Sequence, residues 1–134
     1  MKSGQLSVSS KRNMELIDIT DDIKSLLTPA AVGTGLIHLY NPHTTAGLTI
    51  NEGADPAVRE DIIAGLSAFI PLHLPFKHAE GNSPAHLMAS LIGSSLTLLV
   101  EDDRLVLGQW QRVFFCEFDG PRNRHILWRL ATTL

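Results

Sequence analysis

The sequence predicts an α+β fold of mainly antiparallel sheets with about three helices. Periodicity and punctuation yield about seven or eight short strands beside those helices. The elements come in mixed order, the pattern of α+β chains. One stretch, Val113 to Cys116, is apolar at both parities and reads as a strand covered on both faces. In so small a chain, two-sided apolar strands imply that a partner subunit covers one face.

Leu6 and Val8 alternate with polar neighbours as a short strand, and Met14 to Ile19 continues as a second. Thr20 reads as a helix N-cap, with Asp21 and Asp22 in the first turn, where the helix dipole favours acids. Ile23, Leu26 and Leu27 give that helix its apolar face, and Pro29 stops it. Gly33-Thr34-Gly35 is a turn, Leu36 to Tyr40 a strand, and Asn41-Pro42 its break. Thr44 to Ile50 is strand-like, rich in Thr and Ile. Asp55-Pro56 starts a helix, because Asp caps and Pro suits the first helical position. Val58, Ile62, Leu66, Phe69 and Ile70 then recur at helical spacing until Pro71. Gly65 costs that helix about 1 kcal/mol relative to Ala. Ser83-Pro84 repeats the cap-plus-proline signal ahead of Leu87, Met88, Leu91 and Ile92, and Gly93 is a suitable stop. Leu96 to Val100 is a strand and Glu101 to Arg104 a turn. Leu105 to Leu107 and Trp110 to Phe118 are further strands, and the alternation of Ile126, Trp128 and Leu130 marks a closing one.

The 134 residues make one domain, 1–134, with no repeat, linker or low-complexity tract. An apolar fraction of 44% against 19% charged residues is globular. The net charge of −3 lacks the basic stripe that general nucleic-acid binders need, so no nucleic-acid partner is expected. The single cysteine, Cys116, excludes an intrachain disulfide framework. The apolar stretch Ile62 to Phe76 is interrupted by Pro71 and Pro75 and is too short to span a bilayer. With no apolar run at the N-terminus, the expectation is a cytoplasmic protein without a membrane partner.

Three clusters could carry chemistry. His43 follows a strand break and precedes Thr44 and Thr45, while His78 and His86 bracket Glu80-Gly81-Asn82-Ser83. Neutral imidazoles on a helix start and neighbouring loops can converge on one divalent ion and leave a position open for water or substrate. Surface or capping histidines are the plainer alternative. Asn51-Glu52 lies just past a strand end, where a carboxylate near histidines serves as general base or as a support for a metal ligand; a solvated turn is the plainer reading. Arg122, in the turn Gly120 to Arg124, suits a phosphate or carboxylate, or an intersubunit ion pair. Thr44, Thr45 and Ser83 could add contacts to an anion. Gln111 is a candidate polar group and Trp110 a core residue. His38 is a core or interface histidine, His125 points outward, and Cys116 is a buried, inert thiol.

Taken together, these segments resemble the YjbQ-like family over nearly the whole chain. Pro42-His43-Thr44-Thr45-Ala46 with Leu48-Thr49-Ile50-Asn51-Glu52 and Asp55-Pro56 resembles its first signature. His78-x-Glu80-Gly81-Asn82-x-x-x-His86 is similar to the second. Leu107-Gly108-x-Trp110-Gln111 and Cys116-Glu117-Phe118-Asp119-Gly120-Pro121-Arg122 resemble the third. The resemblance implies a small α+β protein of YjbQ-like fold, a homotrimer with candidate sites near subunit boundaries. Some members are named secondary thiamine-phosphate synthases, for a weak joining of a pyrimidine pyrophosphate to a thiazole phosphate with release of pyrophosphate. Met88 stands where members often have Lys, Gln109 where Thr is usual, and Pro84 where an acid is frequent. These departures bear on substrate more than on fold.

The leading expectation is a metal-assisted enzyme, of transferase type, acting on a phosphorylated small molecule. His43, His78 and His86 would hold a divalent ion, zinc or magnesium. Glu52 and Asn51 would be catalytic, and Thr44, Thr45, Asn82, Gln111 and Arg122 would bind substrate. The alternatives are a non-catalytic binder of a small anionic metabolite, and an assembly protein whose histidines are trimer contacts.

Overall fold

The computed structural model describes residues 2–132. Strands β1 (Lys2–Ser9) and β2 (Glu15–Asp18) precede helix α1 (Thr20–Ala30), and β3 (Gly35–Tyr40) and β4 (Ala46–Glu52) follow. Helices α2 (Pro56–Phe69) and α3 (Ser83–Ile92) come next, then β5 (Ser95–Glu101), β6 (Arg104–Leu105), β7 (Gln111–Glu117) and β8 (Asn123–Thr132). Every strand pair is antiparallel, in a five-stranded sheet ordered β1-β8-β3-β5-β6 and a three-stranded sheet ordered β2-β7-β4. The α+β expectation with three helices holds.

Two apolar cores stack on the smaller sheet. Its inner face gives Val113, Phe115 and Leu48 to a core shared with Ile37, Leu39, Ile126 and Leu130 of the larger sheet and Ile23 and Leu27 of α1. Its outer face gives Phe114, Cys116 and Leu16 to a core roofed by Met88, Ala85 and Ala89 of α3, with Ile62 and Leu66 of α2 packed alongside. This corrects one expectation. Both faces of β7 are indeed covered, but the second cover is supplied by α2 and α3 of the same chain. The face left open belongs to the larger sheet, where cross-strand neighbours Leu36 and Leu99 are 40% and 55% exposed.

Local chemistry shifts several boundaries. Thr20 does not cap α1; it is the first helical residue, buried, and its hydroxyl accepts the Val113 N–H at 2.8 Å. The Asp18 carboxylate instead accepts the Thr20 N–H at 3.0 Å. Pro29 sits inside the last turn rather than ending the helix, and the chain leaves through Ala31 at φ 47°. Asp55 caps α2 as expected, accepting the Ala57 N–H at 2.9 Å, an interaction worth about 1 kcal/mol. At α3 the cap position belongs to Asn82, not Ser83, and Gly93 closes the helix at φ 98°. The strand expected over Leu105 to Leu107 is only Arg104–Leu105, and Trp110 is 58% exposed rather than core. His38 is exposed on the outer face of β3, where its Nδ1 meets the Thr97 hydroxyl at 2.9 Å.

Gly47 lets α3 close on β4. An ideal Cβ there would stand 2.9 Å from Cγ2 of Ile92, and the Leu48 N–H donates to the Gly93 carbonyl at 3.1 Å. This contact fixes the end of α3 against the start of β4, and His86, Ala89 and Ser90 of the helix line a cleft with the loop between β3 and β4.

Candidate functional site

Three chain segments meet in one cleft of about 460 Å³: Pro42 to Thr45, His78 to His86, and Asp119 to Arg124. Its lining includes His43, Thr44, Thr45, His78, Asn82, His86 and Arg122. Seven of the ten residues expected to form a site are therefore neighbours, although they are drawn from distant parts of the sequence.

The first segment is organised by Asn41, a residue that reads in sequence only as a strand breaker. Asn41 is buried, and its backbone N–H and both ends of its side-chain amide are used. Its backbone N–H donates to the Ser94 carbonyl at 2.8 Å. Its side-chain oxygen accepts the His43 N–H at 2.9 Å, and its amide nitrogen donates to the carbonyls of His43 and Ala46 at 3.2 and 2.8 Å. The loop that carries His43 is thus pinned at both ends.

His43 itself completes a sheet. Strand β3 ends at Tyr40, opposite Leu127, so the next backbone groups of β8 on that side have no strand partner. Nε2 of His43 takes that place, 3.0 Å from the His125 amide nitrogen and 3.1 Å from its carbonyl oxygen. The amide always carries its hydrogen, so Nε2 accepts it. A proton on Nε2 would orphan the amide, a rarer and costlier defect than an under-used carbonyl. The neutral ring therefore carries its hydrogen on Nδ1. Burial, then the positive charge of Arg124, holds the pKa of His43 below its usual value, so this neutral form is favoured near pH 7.

Behind the cleft lies a buried ion pair that sequence reading missed. Glu117 is fully buried and Arg124 nearly so. Arg124 Nε donates to Glu117 Oε1 at 2.9 Å, and its terminal nitrogen bonds Oε2. Ser10 Oγ donates to Oε1 at 2.7 Å, and the Asp119 N–H donates to Oε2 at 3.1 Å. Arg124 also donates to the Thr45 hydroxyl at 2.8 Å. Burial pushes the Glu117 carboxyl upward, but Arg124, Ser10 and the Asp119 N–H outweigh it and leave the pKa below the usual carboxylate value. A legible signal existed: a carboxylate inside an apolar run needs a partner, and Arg124 is seven residues on.

Arg122 is half-exposed at the mouth. It is held by the Asp119 carbonyl at 2.8 Å and carboxylate at 3.1 Å, and Asn82 Nδ2 donates to the same carboxylate at 2.9 Å. The Oδ1 of Asn82 is buried without a partner among the described residues. The rings of His78 and His86 stand edge to face with centroids 5.5 Å apart.

Asn51, Glu52 and Gln111 are not in this cleft. They lie at the far end of β4, where Glu52 pairs with Gln111 across the ladder. There Glu52 accepts the Asp55 N–H at 3.1 Å, Asn51 accepts the Glu52 N–H at 2.7 Å, and Gln111 accepts the Gly108 N–H at 2.7 Å. Within one chain these are turn-holding contacts. Cys116 is inert, as expected, since burial pushes its thiol up to about 12.

Among the described residues, no three His, Cys, Asp or Glu side chains are grouped so as to hold a metal as they stand. With its hydrogen on Nδ1, His43 offers no free lone pair; a ligand role for it requires that hydrogen to move to Nε2, which would then face the His125 carbonyl at 3.1 Å. His78 and His86 fit the role, as two neighbouring imidazoles whose rings have no hydrogen-bond partner among the described residues.

A two-sheet α+β fold with a cleft lined by imidazole and guanidinium groups defines the class of protein. The family model for UPF0047 YjbQ-like proteins matches residues 4–133, and the chain belongs to that family. It is 50% identical over 117 residues to the UPF0047 protein MJ1081 of Methanocaldococcus jannaschii, spanning 87% of this chain and 85% of that one. It is 43% identical over 120 residues to the UPF0047 protein YugU of Bacillus subtilis, spanning 89% and 91%. Among solved structures, an uncharacterized YjbQ/UPF0047 family protein of Clostridium acetobutylicum superposes with a TM-score of 0.92 at 42% identity, covering 95% of this chain and 98% of that one. A hypothetical protein of Aeropyrum pernix superposes with a TM-score of 0.93 at 35% identity, covering 99% and 100%. None of these names states an activity.

Proposed function

We propose that the cleft binds a phosphorylated small molecule together with a divalent cation and acts on it as a metal-assisted enzyme. The observation that carries this reading is the convergence of His43, His78 and His86 with Thr44, Thr45, Asn82 and Arg122 on one cleft. Charge balance supports the cation. Arg122 and Arg124 share this region with the carboxylates of Glu80, Asp119 and Glu117, so with neutral imidazoles the site has no positive excess to offer a phosphate dianion. His78 and His86 would hold the ion, and nitrogen donors favour zinc over magnesium. When bound, the ion supplies charge compensation at a phosphoryl or pyrophosphate oxygen.

The chain's own groups then have distinct tasks. Arg122 binds phosphoryl oxygens, oriented by Asp119. Thr44 and the Nδ1–H of His43 donate hydrogen bonds to the same group. Asn82 Oδ1 accepts from a ligand donor. Joining a pyrimidine pyrophosphate to a thiazole phosphate, with pyrophosphate leaving, is one reaction of this class. The reading includes a homotrimer assembled through the open face around Leu36 and Leu99, and a cytoplasmic setting that suits a lone buried thiol.

The test is phosphate binding with and without zinc, metal content, and turnover of phosphoesters and of the thiamine-phosphate precursors. Zinc-dependent binding that is lost in His78→Ala and His86→Ala, with product formed, is expected. Binding without any product would favour a metabolite-binding protein, and no binding under either condition overturns both. Native mass gives the oligomeric state.

A further inference from the structure

A second cleft of about 360 Å³ adjoins the first and shares Pro42, His43, Thr44 and His86 with it. Its remaining walls are of a different kind. Tyr40, Ala89, Ser90 and Ser94 contribute an aromatic ring, a methyl and hydroxyls, with no carboxylate and no guanidinium. The Ser90 hydroxyl donates to the His86 carbonyl at 3.0 Å, whereas Tyr40 and Ser94 have no side-chain partner among the described residues. One lobe is therefore charged and the other neutral, and His43 and His86 stand at the junction.

We infer that the ligand is a phosphomonoester of a small, uncharged, hydroxyl-bearing organic body, divided between the two lobes. The phosphoryl group lies beside Arg122, and the body lies against Tyr40, Ser90 and Ser94. The bond between them falls next to His43 and His86. This inference rests on the phosphate reading of the charged lobe and adds the class of the remainder. Charge sorts the ends, because an uncharged body gains nothing from the ionic lobe and a dianion would find no cation in the neutral one. Volumes of this size match clefts that enclose small ligands.

The experiment compares inorganic phosphate with ribose 5-phosphate by calorimetry, in the presence of zinc, on the full chain. Ribose 5-phosphate should bind at least about tenfold tighter, ~1.4 kcal/mol. Ser94→Leu and Ser90→Leu, each placing a larger apolar side chain in the neutral lobe, should erase that preference; Arg122→Gln should weaken both ligands by a similar factor. Equal affinity for the two ligands, or a preference that survives both serine variants, overturns the two-lobe inference while leaving phosphate binding intact. Failure of both ligands to bind overturns the phosphate reading as well.

Discussion

Strand β4 carries candidate residues at both of its ends, and the two ends have different fates. They are about 20 Å apart, six residues at strand rise. At the first end, Ala46 follows a loop pinned by Asn41 and faces Glu117 across the ladder. Side chains there are held by buried hydrogen bonds and line a cleft. At the second end, Asn51, Glu52 and Gln111 spend their polar groups on nearby backbone N–H groups in exposed turns. The difference teaches that a polar residue just beyond a strand end becomes part of a site only where a buried framework stands behind it. Such a framework fixes geometry and lowers the cost of ordering the groups that meet a ligand.

The largest expected effect tests that framework. Glu117→Gln keeps the side chain's shape but leaves Arg124 buried without a counter-charge, and breaking such a pair costs about 3–5 kcal/mol. The urea midpoint should fall accordingly with little change in slope. A loss below about 1 kcal/mol would make the two ends of β4 equivalent in kind. The pair also sets an acid limit. The folded carboxyl titrates below its ordinary value of 4.5, so its stabilisation is full above that pH. It is lost as pH falls from there through the lower folded pKa. Glu117→Gln should flatten that part of the stability profile.

Next in size is Arg122→Gln. Removing a charge-assisted hydrogen bond to phosphate should weaken zinc-dependent phosphate binding by about tenfold to a hundredfold, with folding stability nearly unchanged. Arg122→Lys should not restore it, because a point charge cannot reproduce the planar contact with Asp119. Full rescue by lysine would reduce Arg122 to a general source of charge.

What was legible in the sequence followed from local rules. Asp55-Pro56 and Gly93 marked helix ends because caps are set by a few adjacent atoms. His43, His78 and His86 were legible as site candidates from their places beside a strand break and a helix start and from a family resemblance, and all three line the cleft. Pairings across long separations were not. Nothing near Ser10 in the chain announces that its hydroxyl would hold Glu117, 107 residues on. Nothing near His43 announces that β3 stops at Tyr40, opposite Leu127, while β8 begins at Asn123. The tautomer of His43, and with it whether Nδ1 is open to a metal, depends on residue 125 and lies outside any local pattern. Coverage of β7 was inferred correctly from its apolar parities, but which element covers each face depends on where α2 and α3 fold back.

His43 offers a smaller, sharper test. Its folded pKa lies below 6.5, so between that lower value and 6.5 the unfolded chain binds more protons. Stability should therefore rise with pH across that window, be complete above 6.5, and fall as pH drops below it. His43→Gln should remove this slope. In the wild type, nitrogen-15 NMR should find the ring hydrogen on Nδ1 and an unprotonated Nε2. A protonated Nε2 at neutral pH would free Nδ1 for a metal and restore the three-histidine arrangement.

The smallest effect belongs to the far end of β4. Glu52→Ala removes one acceptor from the exposed Asp55 N–H, which water can replace, so stability should change by less than about 1 kcal/mol. Phosphate affinity in the cleft should stay within about twofold of wild type, since Glu52 is not among the cleft residues. Turnover is the decisive readout. A rate loss of about a hundredfold or more, with stability and phosphate affinity preserved, would give Glu52 a catalytic task. Because the strand separates it from the histidines of its own chain, that task would have to be carried out on the cleft of a neighbouring copy. An unchanged rate would leave Glu52 as the acceptor that holds a turn and confine the chemistry to the end of β4 that Asn41 and Glu117 hold in place.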